Sequence, residues 1–208
     1  MAELGRRHLF YGDLNCPFCF AQNERLERLG AHHLVEWRGI EHLPRQPVPP
    51  VDDPAERRSI AGELTRLRLK APDVEVRDPR IRPNTHLATA AVAVAAERDG
   101  LAAARLRTEL YRALWQEGQD ISSRAVVLQR IRAAGLGALD LDAGSAAVRR
   151  CTEEWERGAF ERRLPAIVSR SGDVLLGLAT EDSLRSFIWM QPAQADPLAT
   201  CATDDPKR

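Results

Sequence analysis

The chain has 208 residues, 44% of them hydrophobic, which is long enough for one good core or for a core domain that carries an insertion. Its 30 basic and 30 acidic side chains give a formal net charge of zero, which argues against electrostatic binding to nucleic acid or to a membrane. No stretch approaches the ~18 apolar residues of a membrane span, and no secretory signal precedes the first apolar run, so we expect a cytoplasmic protein.

The first two predicted elements are a strand over residues 8–13 and a helix over residues 16–29. The apolar run changes to helical spacing between them. Pro17 suits the first helical turn because its missing N–H would have no partner there. We predict Asn15 as the N-cap and Gly30 as the C-terminal stop.

Cys16 and Cys19 lie where this strand passes into the helix. Unpaired N–H groups and aligned peptide dipoles at a helix N-terminus stabilise a negative charge, here a Cys16 thiolate. Cysteines of C-x-x-C pairs at helix starts have pKa values of roughly 3.5–7.5, against ~8.5 for a free cysteine. We therefore predict that Cys16 is the nucleophile of thiol–disulfide exchange and that Cys19 is the resolving cysteine.

Two other interpretations of the cysteine pair remain open. A C-x-x-C pair can be half of a zinc site, although Cys151 and Cys201 are distant and no histidine has ligand spacing around Cys16. The pair can also consist of buried structural thiols. The strand–Cys-Pro-x-Cys–helix context favours a redox pair, which needs no metal and no bound organic cofactor. Cys151 lies in an apolar helical stripe and is predicted to be an inert core thiol.

The rest of the chain divides into strands, a long helical block and a second group of strands. A second strand is predicted over residues 33–43, before a proline-rich boundary at 44–50. A helix is predicted from Pro54, with Asp53 as its N-cap, and another over residues 85–99, with Asn84 as its cap and Gly100 as its stop. Three more helices are predicted: over 101–117, from Ser122 or Ser123 to Gly135, and over about 144–161. Strands at 166–169 and 174–178 and a helix over 181–190 capped by Thr180 follow.

This order predicts an α/β protein with a thioredoxin-like core, β-α-β followed by β-β-α, and a large helical insertion between the two halves. We assign the first half of the core to residues 1–45, the insertion to 46–161 and the second half to 162–190. Residues 191–208 are polar and rich in proline, and we expect a flexible C-terminal tail that contains Cys201.

The sequence resembles the DsbA-like thiol–disulfide oxidoreductase family, in its FrnE-like branch. Asp13-x-x-Cys16-Pro17-Phe18-Cys19-Phe20 is close to the pattern Asp-x-x-Cys-Pro-Trp-Cys-Tyr of that branch. Other similar segments are Arg82-Pro83-Asn84-Thr85-His86-Leu87-Ala88, Leu110 to Trp115, Gly118 to Ser122, and Leu164-Pro165-Ala166-Ile167-Val168. The resemblance implies a cis peptide bond before Pro165, beside the cysteines, with an extended backbone edge that binds a substrate peptide.

The sequence also departs from the family around the cysteines. Phe18 replaces the usual Trp or His, so the motif itself carries no charge that assists the thiolate. Arg162 and Arg163 precede Leu164, where small residues and Val or Thr are usual, which predicts a more basic and bulkier groove. The acidity of Cys16 should then depend on the helix start and on nearby arginines.

Asp13 has two possible roles: it accepts a proton from Cys19 when the mixed disulfide resolves, or it caps the turn. The histidines are expected to be structural or exposed, and these are His8, His32, His33, His42 and His86. The tryptophans are expected in the core, and these are Trp37, Trp115, Trp155 and Trp189.

These patterns predict an enzyme that exchanges a Cys16–Cys19 dithiol or disulfide with protein or small-molecule thiols, with glutathione as a possible redox partner. One alternative is a glutathione-dependent transferase or isomerase, because kappa-class glutathione transferases and 2-hydroxychromene-2-carboxylate isomerases belong to the same superfamily. Those sites usually carry a serine at the position of the first cysteine, which argues against this alternative. A redox-sensing module without catalysis is a second alternative, favoured if both cysteines are buried.

Overall fold

The computed structural model describes residues 7–158 and 160–189, and within them the chain forms four strands and seven α-helices. The strands are β1 (His8–Gly12), β2 (Val35–Gly39), β3 (Ala166–Val168) and β4 (Val174–Leu176). The helices are α1 (Pro17–Arg28), α2 (Pro54–Lys70), α3 (His86–Arg98), α4 (Gly100–Trp115), α5 (Arg124–Ala133), α6 (Ser145–Arg157) and α7 (Glu181–Trp189). This order confirms the predicted α/β class, with helices α2–α6 between the two groups of strands.

The four strands form one sheet in the order β2-β1-β3-β4. β1 pairs with β2 in parallel and with β3 antiparallel, and β3 pairs antiparallel with β4. Gly12 lies opposite Gly39, so the chain leaves β1 and β2 at the same edge of the sheet. The segments that follow these two strands therefore lie next to each other.

A large apolar cluster joins the cysteine-bearing helix to the helical block. Phe20 of α1, Leu64 of α2, Leu110 of α4 and Ile131 of α5 belong to this one cluster and are nearly inaccessible to solvent. Apolar burial contributes about 25 cal/mol per Å², so these contacts hold α1 firmly against α2, α4 and α5. A second cluster packs α7 against the other side of α1 and the sheet through Phe10, Leu26, Ile167, Leu184 and Ile188.

Helices α3 and α6 approach each other closely at Gly144. A Cβ atom there would lie 2.2 Å from the carbonyl oxygen of Ala90, so no larger residue fits at this crossing. The crossing fixes α6, whose Thr152 and Trp155 line the same cleft as Cys16.

Several predicted helix ends are confirmed, but α3 begins at His86 with Thr85 rather than Asn84 as its N-cap, and the Asn84 side chain accepts a hydrogen bond from the N–H of His86. The Asp53 side chain accepts a hydrogen bond from the N–H of Ala55 and caps α2, and Gly30 has the positive φ of 62° expected of a helix stop. Gly100 was predicted wrongly as a stop. It is the first residue of α4, because the Asp99 carboxylate between α3 and α4 caps α4 through the N–H groups of Leu101 and Ala102.

Three other expectations need correction. The second strand is shorter than predicted, because Ala31–Leu34 form a 3₁₀ helix and β2 ends at Gly39. Helix α6 ends at Arg157 rather than near residue 161. Trp189 was expected in the core but is 47% exposed, since it lies on the outer side of α7. The predicted tail with Cys201 lies outside the described residues. None of the described helices is long and apolar enough to cross a membrane.

Candidate active site

Cys16 is the N-cap residue of α1, directly before Pro17. The N-cap was predicted at Asn15, and the prediction is wrong because Pro17 takes the first helical position, which makes Cys16 the half-helical residue before it. Cys16 has an extended backbone and makes no side-chain cap. Both cysteines are free and buried, but the Cys16 residue keeps 7% of its surface exposed, whereas Cys19 is completely buried. Burial of both cysteines is the condition that favours a redox-sensing module without catalysis, but Cys16 alone of the two lines a surface cleft.

The two thiols have opposite acidities. The pKa of Cys16 is lowered, first by a hydrogen bond from the Cys19 thiol, which outweighs the opposing effect of burial, and then by the positive charge of His42. The N–H groups of Cys19 and Phe18, in the first turn of α1, also donate to the Cys16 sulfur. Burial and the neighbouring Cys16 sulfur hold the pKa of Cys19 well above its usual range. Cys16 is thus the thiol that ionises first.

Helix α4 holds the turn between β1 and α1 in place. The Tyr111 hydroxyl donates to the carbonyl oxygen of Asp13 over 3.2 Å, and the Trp115 indole N–H donates to that of Leu14 over 2.9 Å. Both aromatic side chains are almost completely buried. Their burial fixes the turn, and the turn orients the Cys16 side chain.

The segment before α3 holds the same turn from another side. Arg82 donates to the carbonyl oxygen of Asn15 over 3.1 Å, and the Asn15 carboxamide donates back to the carbonyl oxygen of Pro83. The Arg82 guanidinium also pairs with Glu56 and Glu63 of α2, at 2.9 Å each. The role of Asn15 is therefore to connect the cysteine turn to this segment.

The Asp13 carboxylate is completely buried and fully hydrogen-bonded. One oxygen accepts from the N–H of Asn15 at 3.0 Å and from the Thr85 hydroxyl at 2.9 Å. The other accepts from the backbone N–H and from the ring Nδ1 of His42, at 2.8 and 2.7 Å. Burial raises the pKa of Asp13, but His42 and these hydrogen bonds outweigh it and hold the pKa below its ordinary value. The bond to Asn15 is the turn-capping contact considered above, and the proton-acceptor role for Cys19 stays a prediction.

His42 is the site residue that sequence analysis missed. Burial lowers its pKa, but the Asp13 carboxylate and the Cys16 sulfur outweigh this and raise the pKa above 6.5. The imidazole is 27% exposed and lines the same cleft as Cys16. The charge missing from the motif therefore comes from His42. The order of the elements already indicated that β1 and β2 pair in parallel, and this pairing could have shown that His42, which follows β2, lies near the cysteines that follow β1.

A cleft of about 520 Å³ opens beside Cys16. Phe18, His42, Trp155 and Leu164 form part of its wall. Its charged residues carry both signs, and these are Glu41, Glu63, Glu156, Arg66 and Arg162. The expectation of a basic groove therefore needs correction, because carboxylates from α2, α6 and the segment after β2 accompany the arginines.

The peptide bond between Leu164 and Pro165 is cis, as the family resemblance implied. Leu164 lines the cleft together with Cys16, and Pro165 is buried beneath it. The Pro165 carbonyl accepts from the N–H of Gly177 at 2.8 Å. Within the described part of the chain, no hydrogen bond uses the Leu164 backbone, so this residue presents a free peptide edge next to the thiol.

The sheet, the insertion and a cysteine pair at the first helix define a thioredoxin-fold protein of the DsbA-like class. The chain belongs to the family of the DSBA-like thioredoxin domain, whose family model matches residues 9–162. Among curated proteins, none matches the sequence significantly.

Solved structures share this fold over most of the chain. A probable DsbA oxidoreductase from Streptomyces coelicolor is 20% identical, with a TM-score of 0.70, and the match covers 95% of this chain and 97% of that one. The cytosolic disulfide reductase DsbM from Pseudomonas aeruginosa, solved with GSH, is 20% identical, with a TM-score of 0.61 over 88% of this chain and 93% of that one. A 2-hydroxychromene-2-carboxylate isomerase is 16% identical, with a TM-score of 0.51, and the match covers 86% of this chain and 91% of the isomerase chain. At these identities the likeness establishes the fold.

Proposed function

We propose that the protein is a thiol–disulfide oxidoreductase in which Cys16 is the nucleophile and Cys19 resolves the mixed disulfide. The observation that carries this proposal is the asymmetry of the two thiols. Cys16 faces the cleft with a lowered pKa, and Cys19 is buried behind it with a raised pKa. An accessible thiolate next to a protected thiol is what sequential exchange requires.

The exchange proceeds in two steps. The Cys16 thiolate attacks one sulfur of a substrate disulfide, a new S–S bond forms, and the other substrate sulfur leaves as a thiolate that takes up a proton. Cys19 then loses its proton and attacks the Cys16 sulfur, which releases the second substrate thiol and leaves a Cys16–Cys19 disulfide. The substrate gains two electrons and the protein loses two, and the reverse sequence oxidises a substrate dithiol.

We assign His42 and Leu164 to positioning roles in this reaction. The His42 imidazolium, held by Asp13, stabilises the Cys16 thiolate when it forms and when it leaves. The free backbone edge of Leu164 can bind an extended substrate segment beside the Cys16 sulfur. Pro17 and Phe18 shape the helix start between the two cysteines. On its sequence motifs we place the chain in the FrnE-like branch and in the cytoplasm, with protein or small-molecule thiols as partners.

The Cys19→Ser variant tests the order of events. Mixed with oxidised glutathione, the reduced variant is expected to accumulate a glutathione adduct on Cys16, because no second thiol resolves it. The parental protein under the same conditions should form its internal disulfide instead. Intact-mass and peptide mass spectrometry measure both products, and both proteins carry Cys201→Ser so that this thiol does not compete. A variant that forms no adduct, or forms it on Cys151, contradicts the assignment of Cys16 as the nucleophile.

A glutathione-dependent transferase or isomerase is a second candidate. The structural likeness to an isomerase favours it, as does a cleft with both arginines and glutamates, which suits a ligand that carries both charges. Titration calorimetry with glutathione separates the two functions. Lack of binding to either redox form removes this candidate and leaves the exchange reaction unaffected.

A further inference from the structure

A second cavity, of about 320 Å³, lies between the edge strand β2 and helices α3, α4 and α6. It shares no lining residue with the cysteine cleft. Its apolar wall consists of small side chains from the three helices, among them Val92, Ala93, Ala103, Ala104 and Val148. This size is at the lower end of the range found for small-molecule sites, and nothing in the exchange reaction uses it.

The cavity contains a buried cation with no carboxylate in contact. Arg107 of α4 is 2% exposed, and burial lowers its pKa to about 10. Its hydrogen bonds go to the Asn23 carboxamide oxygen and to the ring Nδ1 of His32, both uncharged acceptors. Glu27 contacts the His32 ring. The centres of the Phe10 and Trp37 rings lie 5.8 and 5.7 Å from the Arg107 guanidinium, so its charge has aromatic but no ionic partners among the described residues. A buried charge normally has an ionic partner, so this guanidinium is suited to an anion from outside the chain.

Other polar atoms of the lining are also unsatisfied. The Thr89 hydroxyl and the Arg38 Nε are buried and have no hydrogen-bond partner among the described residues. Arg7 and Arg150 also line the cavity, so it holds four arginines against two glutamates, Glu36 and Glu97, although Arg38 pairs with Glu36 at 2.9 Å and with Glu154 at 3.6 Å. Unpaired buried donors are uncommon because each loses a hydrogen bond to water, and their grouping around one cavity suits a ligand that brings acceptor oxygens.

We propose that this cavity binds a small organic monocarboxylate with an aliphatic body. The carboxylate is recognised by the arginines and the Thr89 hydroxyl, since planar guanidinium groups match carboxylate geometry. The aliphatic body packs against the alanine and valine side chains of α3 and α4. Cys151, 8% exposed, also lines the cavity and can report on its occupancy.

Octanoate is the probe, and octanol is its uncharged control. Octanoate is expected to release or absorb heat in titration calorimetry, to raise the unfolding temperature, and to slow alkylation of Cys151 in proportion to the occupied fraction. Octanol at equal concentration should bind at least about tenfold more weakly than octanoate, because it lacks the charge that Arg107 recognises. Thiol exchange at Cys16 is measured separately and does not enter this test.

Two variants distinguish a site from general stickiness. Thr89→Val should raise the stability of the free protein, because it removes an unpaired hydroxyl, and yet weaken octanoate binding about fivefold. Ala93→Leu should fill the cavity and abolish binding, whereas the matched change Ala55→Leu on the exposed side of α2 should leave it intact. Equal binding of octanol and octanoate, binding that survives Ala93→Leu, or no binding at millimolar octanoate would overturn the proposal.

Discussion

Replacing Cys16 with serine is expected to slow thiol–disulfide exchange by at least about a thousandfold. A serine hydroxyl forms no disulfide, and Cys19 cannot take its place because its thiol is completely buried and its pKa is raised. The measurement is the rate at which oxidised glutathione oxidises the reduced protein, followed by mass spectrometry. The fold should persist, since Cys16 makes no side-chain cap and serine is a good N-cap residue.

The Cys201→Ser variant is the matched control for this experiment, because it removes a thiol that the proposed mechanism does not use. It should exchange at the parental rate. A Cys16→Ser protein that remains folded and still exchanges at that rate excludes Cys16 as the nucleophile, and a Cys201→Ser protein that loses exchange excludes the assignment of the pair.

Replacing His42 with glutamine is expected to raise the pKa of Cys16, because the positive charge of His42 favours the thiolate. At pH values below the midpoint, each tenfold decrease in the acid dissociation constant of Cys16 lowers the thiolate fraction about tenfold. A thiolate of higher pKa is more nucleophilic, which offsets part of this loss, so alkylation of Cys16 should slow only about threefold. At pH values above the midpoint, where Cys16 is ionised in the reduced protein, each tenfold decrease in its acid dissociation constant makes the Cys16–Cys19 couple about 30 mV more reducing, since the reduced form loses its stabilised thiolate.

Two readouts separate this effect from damage to the fold. The midpoint of the alkylation rate against pH and the redox potential both depend on the charge at His42, and a purely structural role would change neither. His33→Gln is the matched control, because His33 is exposed and bonds only the carbonyl oxygen of Gly30. If the midpoint and the potential of His42→Gln equal those of His33→Gln, His42 does not assist the thiolate.

The fold and the position of the cysteines could be predicted because they depend on local patterns. The change from apolar run to helical spacing located α1, and Pro17 indicated its first turn, although the start was predicted one residue too early. The same local signals placed the helical block between β2 and β3. Gly100 shows the limit of this approach, since a glycine after an aspartate can end one helix or begin the next, and only the Asp99 contacts decide.

The partners of the site could not be read from local patterns. His42 reaches Asp13 because β1 and β2 pair in parallel, with Gly12 opposite Gly39, and register depends on the whole sheet. Tyr111 and Trp115 were noticed as part of a family segment, yet their hydrogen bonds to the cysteine turn span about a hundred residues. Side chains that act across such separations carry no periodic signal of their own.

The most direct test of the account is the alkylation rate of Cys16 in the parental protein as a function of pH, resolved by peptide mass spectrometry. The account predicts that Cys16 reacts with a midpoint below ~8.5, the ordinary value of a cysteine, while Cys19 stays unreactive over the same range. A midpoint at or above that value, or faster reaction at Cys19, would contradict it. A midpoint at or above that value favours a structural or sensing pair, and faster reaction at Cys19 reverses the roles assigned to the two thiols.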